Sequence, residues 1–223
     1  MKYALVFIFL SVAIGLNALF LIDSIVVRLL LIWTAFAFFS VGIAYFLSWT
    51  WILGKKQNGR IHSVSLILLF PYFCILCLTW RMQILLSSES AWNEIDGLIL
   101  GRRLLNKEAK NIVGVVCDLT SEFSECRHLR SLPNYFSVPI LDARAPNPEW
   151  LREKAELISR QKGPIFIHCA QGHGRTGLMA ALILMIRNPS LSPEDAIKRL
   201  KEVRPGIGLS LQQLQTLKKI RLQ

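Results

Sequence analysis

The chain has 223 residues, 52% of them hydrophobic and 18% charged, and its 26 Lys and Arg against 15 Asp and Glu leave a net charge of +11. That apolar content excludes a disordered chain, and five cysteines without paired spacing exclude a disulfide framework. The apolar residues crowd into the first eighty positions, which excludes a single globular unit of even composition.

Tyr3 to Ile22 runs twenty residues without a charge, and Leu29 to Leu53 adds twenty-five after Asp23 and Arg28. Each is long enough to cross a hydrocarbon core of about 30 Å as a helix. A third apolar run, Ser63 to Trp80, carries Pro71 and lies between Arg60 and Arg81. These runs predict a transmembrane region over 1–81 with helices at 3–22, 29–53 and 63–80, so the lipid bilayer is an expected partner. The first run is too long for a signal peptide core and lacks a small-residue cleavage site before the next span. Trp49, Trp51 and Trp80 near the run ends fit an interfacial belt.

Sidedness stays open in the sequence. With three spans, Lys2, Lys55, Lys56 and Arg60 share one side, and Arg28 and Arg81 lie on the other, which puts the N-terminus in the cytoplasm and the rest outside. A reactive thiol favours a reducing compartment instead. Were the third run re-entrant, two spans would return the following domain to the cytoplasm.

Residues 82–223 suffice for one domain with its own core. Predicted elements are a strand near Ile95 to Leu100, a helix over Arg103 to Lys110, and strands at Ile112 to Cys117 and Phe136 to Ile140. Pro148 to Gln161 reads as a helix with Pro in its first turn and Trp150, Leu151, Ala155, Leu157 and Ile158 on one broad face. Gly163 to Ile167 reads as a buried strand and Thr176 to Arg187 as a buried helix. Ser192 caps a further helix with an acidic first turn, running to about Val203. The predicted fold class is α/β, a mostly parallel sheet flanked by helices and preceded by an all-helical transmembrane region.

Between the last strand and the buried helix lies His168-Cys169-Ala170-Gln171-Gly172-His173-Gly174-Arg175-Thr176. A loop joining a strand end to a helix start presents unpaired N–H groups and a positive dipole end, which is an anion site. Gly172 and Gly174 let the backbone approach an anion closely. Such surroundings lower a thiol from about 8.5 toward neutrality, which would make Cys169 a nucleophile without a separate base. Arg175 can grip two phosphate oxygens through its fork, as a lysine cannot. Thr176 can donate to the cysteine sulfur as it leaves, and His168 is expected to orient the loop rather than move protons.

This signature resembles that of cysteine-dependent protein tyrosine phosphatases, and its Cys-Ala-Gln-Gly-His-Gly-Arg-Thr-Gly form resembles the dual-specificity branch. The resemblance covers about Asn93 to Gln223 and includes Val203-Arg204-Pro205-Gly206. It implies a compact α/β domain, a cysteinyl-phosphate intermediate, and neither metal nor cofactor. It also implies an aspartic acid upstream of the nucleophile that protonates the leaving oxygen. Asp142, in a loop flanked by Pro139 and Pro146 and 27 residues before Cys169, is the candidate. Asp118 competes, although its place at the end of an apolar run suits a turn cap. For the attack of water on the phosphocysteine, related enzymes use a glutamine near the C-terminus or the same aspartate acting as base. Among Gln212, Gln213 and Gln215 the best match is Gln213, and the polar face of a last helix explains all three equally well.

From Arg81 onward, 21 Lys and Arg face 14 Asp and Glu, a surplus of seven positive charges. Such a surface attracts anionic headgroups or phosphorylated substrates. No basic run is interleaved with aromatics, so nucleic acid is not an expected partner. A phosphorylated protein is the first expectation for the substrate, because the loop interior holds Ala170, Gln171 and His173 rather than lysines. A phospholipid such as phosphatidylglycerol phosphate or a phosphoinositide is the alternative, since an anchor concentrates the enzyme on lipid. A silent phosphate-binding module would not need Cys169, Arg175 and Asp142 together. The sequence carries no signal of oligomeric state.

Overall fold

The computed structural model describes residues 2–221, which divide into two compact units, one of residues 2–56 and 61–88, the other of 57–60 and 89–221.

In the first unit, α1 (Lys2–Phe20) and α2 (Ile25–Leu47) form an antiparallel hairpin. Tyr3 meets Tyr45 at 5.5 Å between ring centroids and Phe7 meets Phe38 at 5.8 Å. Small residues allow the close approach. A Cβ on Gly42 would lie 2.7 Å from the Ile8 side chain and 3.2 Å from its backbone nitrogen. Ser11 donates to the Ala35 carbonyl at 2.7 Å. Small-residue seams with a hydroxyl bridging to backbone are the packing that helices use where water supplies no hydrophobic drive. Phe9, Phe20, Leu21 and Ile25 all point outward and are well exposed. Both helices are long and apolar enough to cross a membrane.

The third apolar run is not one helix. It breaks at Leu69, ahead of Pro71, into α3 (Ser63–Leu68) and α4 (Phe70–Leu86). Proline at the second position of α4 has no N–H for the preceding turn, so the break follows from its ring. The seam is held by Trp33, whose Nε1–H donates to the Leu68 carbonyl at 3.0 Å while its ring stacks on Phe70. Seventeen residues in α4 rise about 25 Å.

The second unit is the predicted α/β domain. Its strands are β1 (Trp92–Ile95), β2 (Leu98–Arg102), β3 (Val115–Thr120), β4 (Asn134–Ile140) and β5 (Ile165–Cys169), in spatial order β1-β2-β5-β3-β4. All pairings are parallel except β1 with β2. The expected single strand at 95–100 is instead the turn of this hairpin. Asp96 and Gly97 both take positive φ there, the Asp-Gly signal that two-residue hairpins favour. The expected helix at 103–110 shrinks to α5 (Asn106–Ala109), and a short α6 (Arg127–Arg130) follows β3.

Side chains alternate along β5 and sort its residues to two cores. Ile165, Ile167 and Cys169 face α7 (Pro148–Ser159), α8 (Gly174–Arg187), α9 (Pro193–Val203) and α10 (Leu211–Arg221). Phe166 faces the opposite layer with Val116, Ala109 and Leu129. Eleven of the fourteen residues of α8 are buried, which explains why that helix reads as apolar all round.

Local signals set the helix starts. Asn147 accepts from the Trp150 N–H at 3.1 Å ahead of Pro148, and Ser192 accepts from the Asp195 N–H at 3.0 Å ahead of Pro193. Asn147→Ala should cost about 1 kcal/mol and lower the melting temperature of the detergent-solubilised protein by about 2–4 °C, read by differential scanning fluorimetry.

Candidate active site

Cys169 ends β5, residues 170–173 form the loop, and Gly174 begins α8. The junction is tight. Gly172 adopts φ +76°, and a Cβ there would sit 2.5 Å from the Gly101 carbonyl of the neighbouring strand. A larger residue would displace the loop from β2 as well as strain the backbone.

The loop's polarity is fixed from outside by Arg204, only 1% exposed. Its Nε donates to the Gly172 carbonyl at 2.9 Å and its Nη2 to the Gln171 carbonyl at 3.1 Å. Its other donors reach the Ser90 carbonyl, Asn93 Oδ1 and Glu89. Because N–H and C=O point oppositely across a peptide unit, carbonyls held outward turn N–H groups inward. The Gly172 N–H accordingly donates to Cys169 Sγ at 3.2 Å.

Burial alone would push the Cys169 thiol up. The Arg175 guanidinium, with hydrogen bonds from the Thr176 hydroxyl and N–H, outweighs burial against some opposition from Asp142, so the thiol lies below its ordinary range. The equally buried Cys117 thiol is pushed far up by burial and by Asp118. Cys126 also has a backbone donor, from Leu129, and the Arg103 cation nearby, but burial and Glu125 outweigh them, whereas at Cys169 the donors and the cation prevail over desolvation.

Arg175 is itself 1% exposed and needs a partner. Its Nη2 and Nη1 donate to the two oxygens of Glu122 at 2.7 and 2.9 Å, a bidentate pair, and Nη1 also reaches the Ile140 carbonyl at 2.9 Å. The pair holds Glu122 below the usual carboxylate range although burial opposes this. Among the described residues, the Arg175 Nε–H makes no hydrogen bond, and it lies 3.4 Å from Asp142 Oδ1. One edge of the guanidinium is therefore fixed on Glu122 while Nε is left for an incoming oxygen.

Asp142, the acid that the sequence suggests, is half-exposed and sits beside Arg175. Asp118 lies elsewhere. It is fully buried in β3 and accepts from the Thr120 N–H at 2.9 Å, the Thr120 hydroxyl at 2.7 Å and the Tyr135 hydroxyl at 2.6 Å. His168 points to that same layer, opposite to Cys169. Its Nε2 is 3.0 Å from Glu125 Oε2, and its ring stacks on Phe166 at 4.9 Å. Asp118, Glu125 and His168 form a buried group with ligand atoms within 4.8 Å of one another.

The remaining predicted residues split. His173 precedes α8 and pairs with Glu89 at 2.6 Å, and Thr176 is buried in the first turn of α8. Ala170 and Gln171 form the loop backbone, the Ala170 carbonyl accepting from the Arg103 N–H at 3.3 Å. Gln213 is fully buried rather than on a polar face. Its Oε1 accepts from the Ser210 N–H at 2.9 Å and its Nε2 donates to the Arg144 carbonyl at 3.1 Å, so its amide is already engaged.

Glu122, Glu89 and the use of Arg204 escape a reading by spacing. Glu122 lies two residues past β3 and Glu89 84 residues before its partner, so only the fold brings them to the loop. A signal existed for Arg204, in the Arg-Pro-Gly run that follows α9.

The family model for the dual specificity phosphatase catalytic domain matches residues 102–223. Among solved structures, the chain is similar to Tk-PTP in its active form, at 26% identity and a TM-score of 0.53, over 60% of this chain and 97% of that one. PTPMT1 in complex with PI(5)P shares the fold at 20% identity and a TM-score of 0.52, over 60% of this chain and 96% of that one. A protein of Invertebrate iridescent virus 6, named as tyrosine phosphatase 197R, is 35% identical over 77 residues. That match covers 31% of this chain and spans 29% of the viral protein.

Thr176→Val removes the hydroxyl that donates to Cys169. The thiol should titrate higher than in the parent protein, read from the pH dependence of its alkylation by iodoacetate.

Proposed function

The chain belongs to the dual specificity phosphatase family, and on that premise we propose that it is a membrane-anchored enzyme that dephosphorylates phosphotyrosine, phosphoserine or phosphothreonine in proteins. The observation that carries the reading is Cys169 held below the ordinary thiol range beside an Arg175 whose Nε is open.

In the mechanism that this arrangement supports, the phosphate dianion sits among the loop N–H groups and the Arg175 edge. Cys169 Sγ attacks phosphorus, and the bond to the ester oxygen breaks as Asp142 passes that oxygen its proton. The Asp142 carboxylate then takes a proton from water as that water attacks the phosphocysteine. Inorganic phosphate leaves and the Cys169 thiolate returns, stabilised by the Thr176 hydroxyl. The charge that develops on the equatorial oxygens meets donors already in place, which is the largest contribution such sites make. Glu122 keeps Arg175 aimed, and His168 anchors the loop from the opposite layer.

A single phosphate fits the loop better than a multiply phosphorylated headgroup. Ala170 and Gln171 bring no charge, and His173, the loop's one titratable side chain besides Cys169 and Arg175, faces Glu89. One observation favours a lipid monoester as the second reading. The helices α1 and α2 are apolar enough to span a bilayer, and an anchor would raise the local concentration of lipid substrate.

Glu122→Gln replaces a buried carboxylate with a neutral amide and leaves Arg175 without its counter-charge. It should lower kcat/KM for an aryl phosphate by about 100-fold, as a misplaced catalytic group does, and lower the melting temperature because a buried charge is stranded, while an unchanged far-UV circular dichroism spectrum at the assay temperature shows that the fold survives. The substrate question is tested with the detergent-solubilised full chain beside its Cys169→Ser variant. Phosphate release from a phosphotyrosine peptide and from a short-chain phosphatidylglycerol phosphate is compared. Release that depends on Cys169 and favours the peptide supports the proposal. A preference for the lipid transfers the protein to bilayer metabolism, and Cys169-independent release rejects the mechanism.

A further inference from the structure

The segment that presents Asp142 is tied to the first turn of α10 by donors that the helix itself does not need. Ser210 and Gln213 form a capping box: the Gln213 N–H donates to Ser210 Oγ at 3.2 Å, and the Ser210 N–H donates to Gln213 Oε1 at 2.9 Å. Both bonds use the side chains only as acceptors. Aspartate at the first position and glutamate at the second would cap α10 as well.

What distinguishes serine and glutamine is that each also carries a donor, and both donors leave the helix. The Ser210 hydroxyl donates to the Ala143 carbonyl at 2.8 Å, and Gln213 Nε2 donates to the Arg144 carbonyl at 3.1 Å. These are the two residues directly after Asp142. The turn they belong to closes with the Arg144 N–H on the Leu141 carbonyl at 3.1 Å, and Ala143 takes φ +54° inside it. A side chain other than glycine in that region is strained by about 1–2 kcal/mol and persists only where its surroundings over-determine it. The two outgoing bonds supply that constraint. Gln213 also packs beneath the start of α8, since a Cβ on Gly174 would lie 3.1 Å from its Oε1. One buried amide therefore touches the acid turn and the helix that begins at the phosphate loop.

We propose that Ser210 and Gln213 are positioning residues for the leaving-group acid: their exported donors hold the strained 142–144 turn so that the Asp142 carboxyl stands beside Arg175. This rests on the reading of Asp142 as the acid. It gives Gln213 a role apart from the orienting of the hydrolytic water that the resemblance implies.

The test compares two aryl monoesters, 4-nitrophenyl phosphate, whose leaving group needs little protonation, and phenyl phosphate, whose leaving group is more basic. It uses the detergent-solubilised full chain. Asp142→Asn is the reference and should lose about 100-fold or more in kcat on phenyl phosphate with a much smaller loss on the nitrophenyl ester. Ser210→Ala and Gln213→Glu, the second of which keeps the cap, should show the same selective loss at about tenfold, a part of the full acid contribution. KM should hold and the basic limb of the kcat profile should weaken. Ser210→Thr, which restores the hydroxyl, should recover most of the rate. Equal losses on both esters, or no loss, overturn the clamp, and if Asp142→Asn stays selective meanwhile the acid reading survives alone. An unselective Asp142→Asn overturns the acid reading and the clamp with it.

Discussion

A thiol held below its ordinary range at a residue only 3% exposed is the constraint on which the α/β unit depends. An unpaired buried charge costs several kcal/mol, so each group that offsets one charge must itself be offset. Cys169 requires the loop N–H groups and the Arg175 cation. Arg175, equally buried, requires both oxygens of Glu122, and Glu122 in turn takes the Ser121 N–H and hydroxyl at 2.9 and 3.0 Å. The chain of compensation ends at half-exposed carboxylates, Asp142 on one side and Glu89 on the other, where solvent carries the rest. Breaking an inner link strands a buried charge at about 3–5 kcal/mol, while an outer one costs far less.

The pleat of β5 divides this task between two layers. Cys169 faces the α7–α10 core and His168 the α5–α6 layer, so the nucleophile and its neighbour in sequence meet different environments. On the His168 side the hydroxyls of Thr120 and Tyr135 converge on Asp118, and Glu125 Oε1 takes the Cys126 N–H at 2.6 Å. The strand end that carries Cys169 is thus backed, one layer away, by Asp118 bound to Thr120 and Tyr135 and by the His168 ring 3.0 Å from Glu125.

Sequence reading succeeds where a local signal decides the outcome. Helix α8 is apolar all round and is buried nearly throughout, β5 is a short apolar run behind proline, and α9 follows from a Ser-Pro-Glu-Asp start. The strand-loop-helix junction that places Cys169 and Arg175 is legible for the same reason. It fails where two weak signals compete or where the partner is remote. Ile95 to Leu100 was apolar enough for one strand, and the Asp96-Gly97 turn inside it divides two. The Ser63 to Trp80 run has a span's composition, but Pro71 breaks it locally. The acid turn shows both limits. Asp142 stands out in the sequence by its loop between two prolines, whereas the grip of Ser210 and Gln213 on its neighbours spans 67 and 69 residues, and no periodicity reports a contact at that range.

Charge pairing around the loop bears on selectivity. The domain carries a surplus of positive charge, yet the arginines that build this site are paired: Arg175 with Glu122, Arg204 with Glu89, and Arg102 with Glu108. Matched pairs contribute little net field at a distance, so the surplus steers ligands from elsewhere on the surface and is screened within about 8–10 Å at ordinary salt. Inside the loop, attraction for a phosphate comes from fixed N–H dipoles, the α8 terminus and one edge of Arg175. Those elements reward an oxygen set of the right size and position and give little for additional charge. On the function proposed here, such a site would discriminate by fit to a single phosphoryl group and leave the choice of what the phosphate is attached to with the surfaces beyond the loop.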